Sequence, residues 1–150
     1  MAYQTPHILA QQLSDYTPKN GFRRALDLGC GTGLAAKACQ HLAQHFIGVD
    51  LSEGMLAQAK KTELYQHLIC AEIIGYLELE ATESADLILA ADVLPYFGDC
   101  SRLLQAISNR LTPHGILALS YERLNTSTPF QLQTCARYAH SPKHLQNCLD

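Results

Sequence analysis

Three glycines alternate along the segment ALDLGCGTGL, residues 25–34, between a short apolar run and a helix-like one. The three are Gly29, Gly31 and Gly33. Asp27 stands two residues ahead of the first of them. Because glycine lacks a Cβ atom, such a loop can turn tightly and let a ligand lie against its backbone. The free N–H groups of the helix that follows would face the same ligand. The spacing therefore predicts a ligand-binding loop.

Two acids narrow the class of ligand. The dinucleotide fingerprint G-x-G-x-x-G would need a glycine at position 34, where this chain has Leu34. A carboxylate at Asp27 would repel a pyrophosphate and attract a cation such as an α-amino group. Asp50 ends the second predicted strand, where a carboxylate can accept hydrogen bonds from both hydroxyls of a ribose. The pattern predicts a cationic, ribose-bearing ligand without phosphates, a description that S-adenosylmethionine fits.

Alternating strands and helices must position these residues. The predicted strands cover 23–29, 45–50, 67–71, 85–92 and 116–122. The predicted helices run over 8–16, from Leu34, from Ser52, over 73–77 and from a cap at Asp99. The segment 112–115 is predicted to turn the chain. This alternation predicts one α/β domain over residues 1–150, with a doubly wound Rossmann-like parallel sheet of five strands.

The segment after the fifth predicted strand is less regular. Residues 125–129 are predicted to form a loop, and residues 130–138 an extra strand. Residues 141–150 resemble the first turns of a helix. The N-terminal helix, with Tyr3 and Tyr16, is predicted to form a lid over the ligand.

Composition excludes several classes of function. The chain has a net charge of −3 and no run of Lys or Arg longer than a pair, so it lacks the basic footprint of a nucleic-acid-binding protein. Its six cysteines contain no C-x-x-C pair, which favours free thiols and no metal site. The N-terminus does not resemble a signal peptide and no apolar run reaches membrane-spanning length, so we expect a cytoplasmic protein without membrane contact.

The segments ALDLGCGTGL and IGVDLSEGML resemble the first two motifs of the class I S-adenosylmethionine-dependent methyltransferases. A wider set of segments, LDLGCGTGL, GVDLSEGMLAQAK, DLILAADVLPYFGD and RYAHS, is similar to predicted methyltransferases that often carry tetratricopeptide repeats. This likeness runs from about Tyr3 to His140. It implies transfer of a methyl group from S-adenosylmethionine, with S-adenosylhomocysteine as the product.

The resemblance also implies a set of cofactor-binding residues. They are Asp27, Gly29, Cys30, Gly31, Asp50, Leu51, Met55, Ala71, Glu72 and Ala90. In this set the glycines pack under the methionine and ribose portion, and Asp27 helps to hold the amino group. Asp50 takes the ribose hydroxyls. Cys30 is expected to be a small residue within the loop, not a nucleophile.

The remaining members of the set surround the adenine and the methionine. Leu51 and Met55 are expected to flank the adenine, although a core position for Met55 is an equally good interpretation. Ala71 and Glu72 stand where the family contacts the adenine edge, and Glu72 replaces the family's usual aspartate. Ala90 would lie beside the methionine portion.

Residues that could act on the acceptor are less well defined. The candidates are Asp92, Tyr96, Tyr121, Glu122 and His140. Asp92 follows the fourth predicted strand at the crevice, as a base or as a structural carboxylate. Tyr96 would shape the acceptor pocket or simply pack, and a surface position is favoured for His140. The segment ADVLPY lacks the Asn/Asp-Pro-Pro-Tyr pattern of methyltransferases that modify planar nitrogens, which favours a small-molecule acceptor.

The chain departs from the family at its C-terminal end. Class I enzymes finish with a helix and an antiparallel strand pair, whereas this sequence stops within the helix expected to precede that pair. We therefore expect a C-terminally incomplete domain whose fifth strand is a sheet edge. A non-catalytic module that binds S-adenosylmethionine is the second functional hypothesis. A nicotinamide oxidoreductase is the third, disfavoured by Leu34 and Asp27.

Overall fold

A computed structural model of the chain describes residues 3–79 and 84–150. Within them the main strands are β1 (Phe22–Leu28), β2 (Ala43–Asp50), β3 (Tyr65–Cys70), β4 (Ala85–Ala90) and β5 (Leu111–Leu119). Three short strands follow, β6 (Glu122–Arg123), β7 (Phe130–Leu132) and β8 (Tyr138–His140). The helices are α1 (Thr5–Ser14), α2 (Leu34–Cys39), α3 (Glu53–Lys60), α4 (Ile73–Glu78), α5 (Ser101–Ser108) and α6 (Pro142–Leu149), with a 3₁₀ turn at Leu94–Tyr96.

The main strands form a five-stranded parallel sheet in the order β3-β2-β1-β4-β5. This confirms the predicted α/β class and the doubly wound topology. Leu26 in the centre of the sheet lies opposite Ile47 on β2 and Ile88 on β4. The order reverses between β1 and β4, and open parallel sheets bind ligands beyond the carboxyl ends of strands at such a point.

Both faces of the sheet are covered by helices, which explains the continuous apolar run of β4. Leu87 and Leu89 join the core cluster that contains residues of α1 and α2. Ile88 and Ala90 point the other way, into the cluster with α4, α5 and α6. Alternate side chains of a strand face opposite sides, so a strand buried on both sides needs apolar residues at every position.

Two helices begin shortly after the polar residues that were predicted to cap them. Ser52 accepts a hydrogen bond from the Met55 N–H at 3.2 Å and caps α3. Asp99 accepts one from the Ser101 N–H at 2.9 Å at the start of α5. These side chains satisfy N–H groups that have no partner within the helix.

Two local expectations are wrong. Residues 112–115 do not form a separate turn before the fifth strand. They lie inside β5, which pairs Leu111 with Ala85 and then Ile116 with Leu87. The inserted residues are accommodated as a bulge. The single strand expected over 130–138 is instead an antiparallel pair, β7 and β8, in a separate sheet ordered β6-β8-β7.

Strand β5 forms one edge of the main sheet within the described residues, as expected. The antiparallel pair β7–β8 does not extend that sheet, because β8 pairs with β6 and β7 alone. Among the helices of the described ranges, none has the length and apolar character needed to cross a membrane.

Candidate functional site

A cavity of about 590 Å³ opens at the carboxyl ends of β1, β2 and β4. Its lining includes eight of the ten residues predicted to bind the cofactor: Asp27, Gly29, Cys30, Gly31, Asp50, Leu51, Met55 and Glu72. The other two, Ala71 and Ala90, lie outside the lining, and Ala90 is buried in the core. Ala91 lines the cavity instead. The topology therefore brings most of the predicted set together.

The glycine loop turns beneath the cavity through left-handed backbone. Gly29 has a φ of 62° and Gly31 a φ of 53°, values that side-chain-bearing residues rarely adopt. A Cβ atom on Gly29 would stand 3.0 Å from a methyl carbon of Val93. A Cβ on Gly31 would meet no heavy atom within 4 Å. The backbone at Gly31 is therefore open toward a ligand.

Backbone amides fix the carboxylate of Asp50. Its Oδ2 accepts a hydrogen bond from the Gly31 N–H at 2.9 Å, and its Oδ1 accepts one from the Ser52 N–H at 2.9 Å. Each carboxylate oxygen can accept a further hydrogen bond. Asp50 therefore presents a rigid pair of acceptors at the end of β2, as recognition of two neighbouring hydroxyls requires.

Asp27 lies deeper, with only 1% of its surface exposed. Its Oδ2 accepts a hydrogen bond from the Tyr65 hydroxyl at 2.7 Å. Burial raises the pKa of Asp27 from 3.8 to about 7, opposed by the Tyr65 hydrogen bond and reinforced by the charge of Asp50. A cation placed beside this carboxyl would favour its ionised form.

The cavity lining is acidic. It contains the carboxylates of Asp27, Asp50, Glu72 and Asp92, and the described lining residues include no Lys, Arg or His. A cleft with charges of one sign concentrates the field within it. The site therefore favours a cation and disfavours a pyrophosphate.

The outer wall of the cavity is formed partly by apolar side chains. Leu51 is 70% exposed and Met55 is 46% exposed, so the alternative that Met55 belongs to the core is wrong. Glu72 caps α4: its Oε1 accepts from the Ile74 N–H at 3.0 Å and its Oε2 from the Gly75 N–H at 2.7 Å. The Glu72 carboxylate is thus engaged by its own helix.

Cys30 is buried beneath the loop. Burial, followed by the charges of Asp27 and Asp50, raises the pKa of its thiol to about 12. A thiol with this pKa is not a nucleophile near neutral pH. This agrees with the interpretation of Cys30 as a small residue of the loop.

Asp92 also lines the cavity, on left-handed backbone. Its φ is 55°, a value that costs a non-glycine residue about 1–3 kcal/mol and persists only where the surrounding structure imposes it. The Asp92 N–H donates to Ser120 Oγ at 2.8 Å, and the Tyr3 hydroxyl donates to Asp92 Oδ2. Arg137 Nη2 lies 3.9 Å from Asp92 Oδ1 and is also paired with Glu122. Contacts from remote segments therefore hold this carboxylate.

Two tyrosines stand near Asp92. Tyr96 lines the cavity and is 72% exposed, and Tyr3 lines it from the segment before α1. Burial and the contact with Asp92 raise the pKa of Tyr3 to about 12. Tyr16, the second residue of the predicted lid, lies instead in a groove between α1 and β5. Tyr121 is not part of the cavity lining.

The expected surface position of His140 is wrong. The side chain is fully buried, and its Nε2 lies 2.8 Å from the Phe97 carbonyl oxygen and 3.1 Å from that of Gly98. It is outside the cavity lining and fixes the loop after the 3₁₀ turn. The sequence did not indicate this because the burial depends on β8, a strand of three residues.

The sequence did not indicate Tyr65, Ser120 and Arg137 as residues of the site. Each contacts a carboxylate of the cavity from a distant segment. No spacing rule links them to their partners; only the position of Tyr65 beside the third predicted strand was a usable indication. We call Asp27, Gly29, Gly31 and Asp50 the glycine-loop half of the pocket, and Tyr3, Asp92 and Tyr96 the Asp92 half.

The fold, and a pocket lined by acidic residues and the glycine loop, define a nucleoside-binding protein of the Rossmann-like class. The family model described as a methyltransferase domain matches residues 26–119, and the chain belongs to this family. Membership assigns S-adenosylmethionine as its cofactor.

Two curated relatives illustrate the family. The chain is 33% identical over 101 residues to a ubiquinone biosynthesis O-methyltransferase of Bradyrhizobium diazoefficiens, covering 67% of this chain and 40% of that protein. It is 28% identical over 144 residues to a malonyl-[acyl-carrier protein] O-methyltransferase of Bacillus anthracis, covering 94% of this chain and 52% of that protein. The chain thus spans about half the length of these relatives, or less.

Solved structures share the fold. A SAM-dependent methyltransferase of Leishmania major superposes with a TM-score of 0.75 at 20% identity, covering 97% of this chain and 60% of that one. The magnesium protoporphyrin IX methyltransferase of Synechocystis PCC 6803 with bound SAM gives 0.71 at 15% identity, covering 97% and 64%. At these identities the likeness establishes the fold.

Proposed function

We propose that residues 1–150 form the cofactor domain of a cytoplasmic methyltransferase that transfers a methyl group from S-adenosylmethionine to a small-molecule acceptor. The observation that carries this proposal is the pair of acids at the glycine loop, the oriented acceptors of Asp50 and the buried carboxyl of Asp27, with no basic side chain among the described lining residues of the pocket. S-adenosylmethionine offers a sulfonium, an ammonium and a ribose, and it has no phosphate. On the motifs quoted above, we place the chain nearest the predicted methyltransferases associated with tetratricopeptide repeats.

The glycine-loop half supplies the polar contacts in this proposal. Asp50, whose oxygens are oriented by the N–H groups of Gly31 and Ser52, accepts the two ribose hydroxyls. Asp27 holds the amino group, and its carboxyl ionises when that cation binds. The left-handed backbone of Gly29 and Gly31, which is open at Gly31, lies against the methionine and ribose portion.

The outer wall holds the adenine in the same proposal. Leu51 and Met55 flank the ring with their exposed side chains. Glu72 contributes through its backbone, because its carboxylate caps α4, and Ala71 supports it from outside the lining. Ala90 supports the methionine portion from the core, behind the lining residue Ala91.

Methyl transfer from a sulfonium needs the acceptor atom, the methyl carbon and the sulfur in one line. Holding reactants in such an arrangement is equivalent to an effective molarity of ~10⁵–10⁸ M. Asp92 lines the same cavity and is our candidate to accept a proton from the acceptor. Tyr96 forms part of the acceptor's surroundings.

A small acceptor is supported by the absence of a basic surface run and by the relatives. Those relatives are named for ubiquinone biosynthesis and for malonyl-[acyl-carrier protein], both as O-methyltransferases. We therefore expect an organic molecule that offers a hydroxyl or carboxylate, rather than a nucleic acid.

The second candidate function is binding of S-adenosylmethionine without catalysis, as an interaction module. The observation that favours it is the engagement of Asp92, whose carboxylate is already contacted by Tyr3 and Arg137. A carboxylate held in this way has to release a partner before it can serve an acceptor.

A labelling experiment separates the two candidates. The protein is incubated with tritium-labelled S-adenosylmethionine and fractionated metabolite pools, beside the variants Asp50→Ala and Asp150→Asn. Asp150 lies at the end of α6, away from the pocket. Incorporation that Asp50→Ala loses and Asp150→Asn keeps supports the enzyme. Binding of S-adenosylmethionine without incorporation of its methyl group supports the binding module. If S-adenosylmethionine does not bind, both candidate functions are overturned.

A further inference from the structure

A second cluster of reactive side chains lies outside the pocket, where α6 packs against the start of α5. It consists of Asp99, His144 and Cys148, with one ligand-type atom from each residue and all three atoms within 4.8 Å of one another. The cavity described above does not include any of them. The proposed methyl transfer does not use them.

Helical geometry brings two of the three together. His144 and Cys148 are four residues apart on α6, so their side chains share one face of the helix. Cys148 Sγ lies 3.8 Å from His144 Nε2 and 3.9 Å from Nδ1. A zinc ion with tetrahedral bonds to sulfur and nitrogen holds these atoms roughly 3.6 Å apart. The atoms are therefore at nearly the required separation, and binding needs the imidazole to turn so that one of its nitrogens faces the ion.

The third group comes from the loop before α5 and is oriented by Ser101. Asp99 Oδ1 accepts from the Ser101 hydroxyl at 2.6 Å and from the Ser101 N–H at 2.9 Å. These two hydrogen bonds fix the orientation of the Asp99 carboxylate. The same hydroxyl lies 3.4 Å from Cys148 Sγ. Such supporting contacts orient metal ligands in proteins.

The cluster is also anchored by packing. Leu145 of α6 is buried in the core. The His144 ring lies against Phe130, with centroids 5.5 Å apart, and stacks on His140 at 6.4 Å. The imidazole is therefore held near the other two groups before any ion arrives.

We propose that Asp99, His144 and Cys148 form a binding site for a divalent transition-metal ion, best suited to Zn²⁺, with a water as the fourth ligand. Thiolate and imidazole select zinc over magnesium or calcium, which prefer oxygen ligands. On binding, the thiol releases its proton to solvent and the sulfur bonds to the metal. The ion would tie α6 to α5. This site is independent of the proposed methyltransferase function.

Cobalt substitution tests the proposal, because Co²⁺ occupies zinc sites and reports a thiolate ligand through a charge-transfer band. The full chain, reduced and freed of metal by chelation, is titrated with Co²⁺ and then with Zn²⁺. We expect one Co²⁺ per chain, a thiolate band that saturates at that ratio, and its loss when zinc displaces cobalt.

Matched variants assign the ligands. Cys148→Ser should abolish the band, whereas Cys135→Ser, which removes an exposed thiol elsewhere, should keep it. Ser101→Ala should weaken metal binding about 10-fold. If Cys148→Ser fails to fold, Asp99→Asn, which leaves α6 unchanged, takes its place. Weaker metal binding in this variant would support the site, and unchanged binding would overturn it. A wild-type chain without the band, or a band that survives Cys148→Ser, overturns the proposal.

Discussion

The two halves of the pocket are built by different means. In the glycine-loop half, Asp50 is fixed by a backbone N–H of Gly31, 19 residues away, and by one two residues away. In the Asp92 half, the carboxylate of Asp92 is reached by Tyr3, 89 residues away, and its N–H by Ser120, 28 residues away. In the first half backbone amides hold Asp50, and one remote side chain, the Tyr65 hydroxyl 38 residues away, holds Asp27, whereas the second half is assembled from remote side chains. We infer that the first half fixes the cofactor and that the second can change to suit an acceptor.

The two acids of the glycine-loop half also differ from each other. Asp50 is held by amides near the surface, whereas Asp27 is buried with a pKa near 7. Burying a carboxyl is costly unless a partner charge compensates it. Asp27 therefore carries a cost in the empty protein that a bound cation would offset.

The largest effect is expected for Asp27→Asn. It removes the charge that holds the cofactor's amino group, so binding of S-adenosylmethionine should weaken by roughly 1.5–3 kcal/mol. The free protein should become more stable at pH 8, by roughly 2–4 kcal/mol, because the native pKa of about 7 exceeds the unfolded value of 3.8. A raised native pKa gives stability at low pH that is lost as pH rises through 7. Calorimetry measures the cofactor affinity, and denaturant unfolding measures the free energy of unfolding. A free energy of unfolding at pH 8 equal to that of the wild type would contradict the raised pKa of Asp27.

Asp50→Ala should weaken cofactor binding by about 1–3 kcal/mol through lost charge-assisted hydrogen bonds. It should not stabilise the free protein, because its amide partners Gly31 and Ser52 lose their acceptor. Isothermal titration calorimetry measures the affinity, with Asp150→Asn as the matched control. An affinity equal to that of the control would remove Asp50 from the site.

Cofactor affinity should depend on pH through Asp27. The cation lowers the pKa of this carboxyl on binding, so affinity should fall as pH drops below about 7 and level off above it. The steepest slope is about tenfold per pH unit. Calorimetry between pH 5.5 and about 8.5 measures the profile. In Asp27→Asn the change of affinity near pH 7 should vanish. If it persists, another group is responsible for the pH dependence.

The smallest effect on cofactor binding is expected in the Asp92 half. Tyr3→Phe removes the hydrogen bond to Asp92 and should change the affinity for S-adenosylmethionine by less than about 1 kcal/mol. It should increase proteolytic cleavage within residues 1–20, because Tyr3 ties this segment to the pocket. Limited proteolysis with and without cofactor measures this. A large loss of cofactor affinity would erase the distinction between the two halves.

The sequence predicted the parts of the molecule that depend on local spacing. The alternation of apolar segments specified the sheet, and the loop spacing with Asp27 and Asp50 specified the glycine-loop half. It failed where long-range pairing decides the outcome. His140 is buried because the short strand β8 places it under the 3₁₀ turn, and no local pattern encodes that contact.

The same contrast separates the two proposed sites. The spacing of Asp27 to Gly33 indicated the cofactor pocket directly. The cluster of Asp99, His144 and Cys148 was not predicted, because it forms only when α6 packs against α5. Apolar burial of Leu145 brings about that packing, and the ligand residues follow from it.

The central claim is that the pocket selects a cationic nucleoside ligand without phosphates. A calorimetric titration of the full chain with S-adenosylmethionine and with NAD, in the same buffer at pH 8, tests it most directly. Four carboxylates and a leucine at position 34 predict saturable, one-to-one binding of S-adenosylmethionine and no measurable binding of NAD. Preferential binding of NAD would contradict the account.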